Sequence, residues 1–173
     1  MRAFFIVTLL VLTIDFLISS FFLKKTNVWK NEQWQDKYYR VQSDIYHHDL
    51  MPNIEVTESW GGKLKRKIIT NSIGFRDSDQ KKINKSSDKK RILLIGDSFI
   101  EGSGYDYEYT LAGLLSSKLG NKYEILNSAV ESYSPSIYFK KIEHFISLGY
   151  KFDQALIFLD ISDIYDELFI KFD

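Results

Sequence analysis

The sequence predicts an α/β fold, a parallel sheet covered by helices on both faces to make three layers, preceded by one amino-terminal transmembrane helix. Three observations carry that reading. Residues 3–23 form an almost unbroken apolar run. From Arg91 onward, short apolar runs alternate with stretches of helical period, the order that builds a parallel sheet with right-handed crossovers. Each short run then ends in a polar cluster: Gly96-Asp97-Ser98, Asn127-Ser128-Ala129 and Asp160-Ile161-Ser162-Asp163. Polar residues gathered at the carboxyl ends of neighbouring parallel strands build a site rather than a core.

The chain has 173 residues, room for one domain of ordinary size plus extras. Lys and Arg balance Asp and Glu at 23 each, so no basic footprint argues for nucleic acid. Cysteine is absent, which excludes disulfides and thiolate metal sites. Aromatic residues make up 16%, enough for a core with some to spare for stacking on sugars.

Along the chain, residues 3–23 are just long enough to cross a bilayer as a helix. Asp15 interrupts them at a cost of roughly 2.5–3.5 kcal/mol, which the surrounding Phe, Leu, Ile and Val offset. The absence of a convincing small-x-small cleavage site makes residues 1–25 an uncleaved signal anchor. Arg2 on one side and Lys24, Lys25 and Lys30 on the other leave the orientation open by charge alone. Residues 26–90 are a juxtamembrane lead-in and linker. Within them, residues 29–46 have the spacing of a short helix and Pro52 breaks regular structure. Gly61-Gly62 in residues 55–70 suggests a hairpin, residues 70–77 are turn-rich, and the charged residues 78–90 are a solvated linker.

Residues 91–173 then supply the sheet. Strand one covers residues 91–95, with Gly96 permitting a sharp turn. A helix around residues 109–119 stops at Gly120, and strand two covers residues 123–126. A second helix starts near Pro135 and stops at Gly149, and strand three covers residues 154–159. Ser98, on a tight strand-to-helix turn, is either a nucleophile or the cap of the following helix. Asp97 holds that turn through backbone N–H groups.

With the three clusters in view, the chain resembles the SGNH (GDSL-type) esterase superfamily. Gly96-Asp97-Ser98-Phe99 resembles its first block, whose serine is the nucleophile. Asn127-Ser128-Ala129-Val130-Glu131-Ser132 stands where Asn-x-Gly-x-x-Gly falls, and Asp160-Ile161-Ser162-Asp163 stands where Gly-x-Asn-Asp falls. His47-His48-Asp49-Leu50-Met51-Pro52-Asn53 and Thr70-Asn71-Ser72-Ile73-Gly74-Phe75-Arg76-Asp77 resemble the lead-in of membrane-anchored bacterial members.

The resemblance implies a flavodoxin-like SGNH hydrolase fold, incomplete at its carboxyl end. Ser98 is then the nucleophile, the Ser132 backbone N–H an oxyanion donor and Ser162 a further donor, with Asp97, Asn127 and Asp163 in support. No cofactor and no metal are implied. The chain departs from the pattern at Ala129, Ser132 and Ser162, and no Asp-x-x-His follows the third block. The catalytic His and Asp are therefore expected beyond residue 173, and the apolar residues 168–172 read as an element cut short.

The function expected from this is a serine esterase acting on acyl esters, O-acetyl groups above all, of small molecules or cell-envelope polysaccharide. The protein would be membrane-anchored by one pass through residues 3–23, with the soluble part extracytoplasmic (periplasmic). The alternatives are a polysaccharide O-acetyltransferase and a non-catalytic, membrane-tethered glycan-binding domain. A third is a metal-dependent phosphoryl enzyme using Asp97, Asp160, Asp163, Asp166 and Glu167, against which the acidic run simply caps a helix. His144 is expected to pack, and His47 and His48 to serve the turn at Pro52.

Overall fold

The computed structural model describes residues 2–26, 38–60 and 64–169. The chain divides into two compact units, Met1–Asp36 and Lys37–Asp173. The first contains helix α1 (Arg2–Thr26). It has no Gly or Pro to break it, and the Thr8 and Thr13 hydroxyls donate back to the carbonyls of Phe4 and Leu9.

The transmembrane anchor expected over residues 3–23 is not borne out. Among the described residues no helix is long and apolar enough to cross a membrane. Asp15 lies in the middle of α1, and a carboxylate there costs roughly 2.5–3.5 kcal/mol at the centre of a bilayer. The single-pass anchoring and the extracytoplasmic placement rested on that helix and fall with it.

The second unit opens with two antiparallel hairpins. Strands β1 (Arg40–Ser43) and β2 (His47–Leu50) pair across a turn in which Ser43 Oγ accepts the N–H groups of Ile45 and Tyr46. Residues 40–43 are therefore strand and not the expected helix; residues 29–37 of that expectation lie outside the described residues. Strands β3 (Glu55–Trp60) and β4 (Leu64–Ile69) form the hairpin expected around Gly61-Gly62, which itself lies outside the described residues.

The parallel sheet follows: β5 (Lys90–Ile95), helix α2 (Ser98–Glu101), a 3₁₀ turn (Tyr107–Tyr109), helix α3 (Leu111–Leu119), β6 (Tyr123–Asn127), helix α4 (Pro135–Ser147), β7 (Gln154–Ile157) and helix α5 (Ser162–Phe169). The order in the sheet is β6-β5-β7, all parallel. The strand alternation divides the core. Leu93, Ile95 and Leu126 face α4 and the lead-in residues Tyr39, Leu50, Ile68 and Phe75. Ile92, Leu94 and Ile125 face Ala112, Leu111 and Leu115 of α3. Every residue of β7 is exposed, and with Leu159, Ile164 and Leu168 it leaves apolar surface uncovered.

The lead-in is part of this core. Residues 78–90, expected as a solvated linker, bury Ile83, whose N–H donates to Ser72 Oγ, while the Lys85 carbonyl accepts from Lys151. Across the α4 face, Lys141 is 1% exposed. Its ammonium donates to Asp49 Oδ1 at 2.7 Å and Tyr133 Oη at 2.9 Å, with the rings of Tyr46, Phe75 and Tyr133 within 5.4 Å. Burial holds its pKa down, opposed by Asp49. Removing one partner of such a pair strands a buried charge. Asp49→Ala should therefore lower the unfolding free energy by about 3–5 kcal/mol, read from the urea midpoint by circular dichroism; an unmoved midpoint contradicts the assignment.

Candidate active site

β5 delivers its carboxyl end into a turn that only a residue without Cβ fits. A Cβ on Gly96 would sit 2.7 Å from Ile100 Cγ1 and 3.3 Å from Phe158 Cβ. The chain then enters α2 at once. Asp97 caps it, its Oδ1 accepting the Phe99 N–H at 2.9 Å, so the capping role falls to Asp97 and not to Ser98. Ser98 is the first helical residue and partly exposed. Among the described residues its hydroxyl has no hydrogen-bond partner and its N–H no acceptor.

A helix of four residues cannot hold itself, because one turn does not recover the cost of nucleation. Tertiary donors hold it instead. The Arg76 guanidinium, 1% exposed, donates to the carbonyls of Glu101 (2.8 Å), Gly102 (2.7 Å) and Tyr105. The Asn127 amide, at the end of β6, donates to Ile100 O at 2.9 Å, and its Oδ1 accepts the Ala129 N–H. Gly102 closes α2 at φ 81, where an added Cβ would meet Thr110 Cγ2 at 2.3 Å.

The turn after β6 is bound to α2 by one buried carboxylate. Glu101 takes a two-pronged donation from Arg40 at 2.7 and 3.0 Å and accepts the Glu131 N–H at 2.5 Å. Arg40 also reaches the Glu131 carboxylate at 3.1 Å. Burial works to raise the Glu101 pKa, yet Arg40, Arg76 and the Glu131 N–H outweigh it and hold it below the ordinary value of 4.5. His48 Nε2 lies 2.7 Å from the Glu131 carbonyl, so this histidine serves the second block and not the turn at Pro52. Ser132 follows at φ 63, in the left-handed region. That is the conformation a glycine would take without strain. Its N–H has no acceptor among the described residues.

The third turn contributes carboxylates. One oxygen from each of Asp97, Asp160 and Asp163 lies within 4.8 Å of the others. Protein donors meet them: the Asp160 N–H and the Tyr138 hydroxyl donate to Asp163, and the Ser162 hydroxyl lies 2.6 Å from Asp160 and 3.4 Å from Asp97. Having one proton, Ser162 Oγ gives it to the nearer oxygen. Burial raises the Asp97 carboxyl, the Phe99 N–H opposes that, and Asp160 and Asp163 add to the rise; Asp160 is held low, first by Ser162. Glu167 stands apart, reaching the N–H and hydroxyl of Ser136 on α4. A cavity of about 350 Å³ opens beside Asp160 and Asp163, lined by Pro135, Leu159, Ile164 and Leu168.

The parallel pairing brings the turns bearing Ser98, Ser132 and Ser162 to one edge of the sheet, and Asp97 and Ser162 meet there. Asp97, Asn127 and Asp163 are each buried at that edge. His144 packs on Tyr46 and Phe145. Sequence reasoning missed Arg40, Arg76 and Glu101. Arg76 lies in a stretch already singled out, Thr70 to Asp77; Arg40 and Glu101, 61 positions apart, carry no local signal. Compared with known proteins, the chain matches no family model, no curated protein and no solved structure.

Two outcomes follow from this geometry. Ser132→Gly should hold stability or raise it by up to about 1 kcal/mol as the left-handed strain is relieved. Ser132→Val should lower it by more than about 1 kcal/mol, both by urea unfolding; the reverse ranking refutes the strain. A carboxylate whose folded pKa is depressed contributes stability above its ordinary value and loses it as pH falls through the folded one. The stability gap between wild type and Glu101→Gln should therefore be full near pH 7 and close below pH 4.5, and a gap that widens with acid contradicts the ion pair.

Proposed function

We propose that the protein is a serine esterase of the SGNH type, with Ser98 as nucleophile and acyl esters, O-acetyl groups above all, as substrates. The observation that carries this reading is the edge where three strand ends meet. There a partly exposed Ser98 hydroxyl stands at the head of α2, and the N–H groups of Ser98 and Ser132, on two of the turns at this edge, donate to no described residue. Ser98 Oγ attacks the ester carbonyl as a base takes its proton. The two N–H groups receive the oxyanion, the alcohol leaves with the proton, and water then cleaves the acyl-serine. Ser162, bonded to Asp160, orders the third turn in this reading.

The base must be a histidine to follow the triad pattern. His47, His48 and His144 are the histidines of residues 1–173, and among the described residues none contacts Ser98. The resemblance assigns the base to an Asp-x-x-His pair beyond residue 173, and the proposal adopts that assignment. The metal-dependent alternative gains the convergence of Asp97, Asp160 and Asp163 but loses Glu167, which is committed to Ser136.

The full-length protein treated with a fluorophosphonate probe should carry the label on Ser98, located by peptide mass spectrometry. Hydrolysis of p-nitrophenyl acetate should survive EDTA and fall by at least about 10³-fold in Ser98→Ala. A folded protein left unlabelled at Ser98 would sink the nucleophile, and activity abolished by EDTA would favour the metal reading.

A further inference from the structure

The Glu131–Ser132 peptide is the one whose N–H the esterase reading gives to the oxyanion, and both polar groups of Glu131 are clamped. Its N–H donates to the buried Glu101 carboxylate, and its carbonyl faces His48 Nε2 at 2.7 Å. A carbonyl can only accept, so Nε2 carries the hydrogen. Burial keeps the His48 pKa low; the neutral ring then leaves Nδ1 as an acceptor for His47 Nδ1, 2.7 Å away. The His48 ring stands edge-on against Tyr133, whose hydroxyl donates to the His48 carbonyl at 2.7 Å. The imidazole is thus fixed from both sides.

We propose that His48 is a positioning residue for the oxyanion site, acting through the Glu131 carbonyl. The inference rests on the esterase reading. In a planar trans peptide the C=O and the following N–H point in opposite directions, so a donor that fixes the Glu131 carbonyl also fixes where the Ser132 N–H points. The left-handed backbone at Ser132 fits this role. A residue held in such a region persists where its surroundings over-determine it, and here a carboxylate and an imidazole grip the two sides of the residue before it. His48 stands 83 positions from Glu131 and in the lead-in, so the lead-in becomes part of the catalytic apparatus rather than a spacer.

Two variants test it. His48→Gln places an amide N–H where Nε2 was, and His48→Asn is one methylene too short to reach. With p-nitrophenyl acetate, His48→Asn should lose about 10- to 100-fold in kcat with KM unchanged, and should slow fluorophosphonate labelling of Ser98 in step. His48→Gln should recover most of both. Independently of any chemistry, the Glu131 backbone carbonyl ¹³C resonance should move in His48→Asn and return toward its wild-type position in His48→Gln. Should the wild-type protein neither turn over ester nor label at Ser98, the esterase reading has failed, and the carbonyl resonance alone decides whether His48 holds this peptide. A folded His48→Asn protein with wild-type kcat, or with an unmoved Glu131 resonance, overturns the proposal.

Discussion

Glu101 is a carboxylate with almost no access to water, sitting on a helix of four residues, and most of the site is arranged around it. Its oxygens receive Arg40 from the first hairpin and the backbone of the turn after β6. Three segments distant in sequence are thereby fixed to one point, one turn of helix away from Ser98. A buried ion pair of this kind is a weak source of net stability, because desolvation consumes much of the attraction. Its value here is positional: the carboxylate fixes the Glu131 turn relative to α2.

The same logic extends outward. α2 is too short to be stable alone, so its carbonyl end is gripped by Arg76 from the turn after β4 and by Asn127 from β6. Behind it, Lys141 and Asp49 join α4 to β2 within a wall of aromatic rings. In each case a cation or amide from one segment satisfies buried oxygens of another, as buried polar groups require. The hairpins of residues 38–69 therefore do more than precede the α/β sheet. They supply Arg40, His48 and Asp49 to its interior.

The sheet and its edge were legible in the sequence because their signals are local. Four apolar residues before Gly96 mark a strand buried on both faces, Gly120 stops α3, and Pro135 begins α4. The hairpin of β3 and β4 was announced by Gly61-Gly62. What failed to show depended on distant partners. Residues 40–43 carry aromatic neighbours at helical spacing, and only pairing with β2 and the reach of Arg40 to Glu101 make them a strand. The charge run of residues 78–90 concealed Ile83, a single apolar residue that anchors an otherwise exposed segment. The apolar run of residues 3–23 suggested a membrane span, and among the described residues no helix is long and apolar enough to be one. Ser132 is the instructive case: its side chain departs from the glycine of the pattern it resembles, while its backbone keeps the glycine conformation.

A crystal structure of the full-length protein with Ser98 phosphonylated tests the central claim most directly. The account requires the phosphonyl oxygen to lie about 2.7–3.1 Å from both the Ser98 and Ser132 nitrogens, with Glu101 still bonded to the Glu131 N–H. A phosphonyl oxygen directed to solvent, or a Ser132 N–H turned away from it while α2 is intact, would contradict the account.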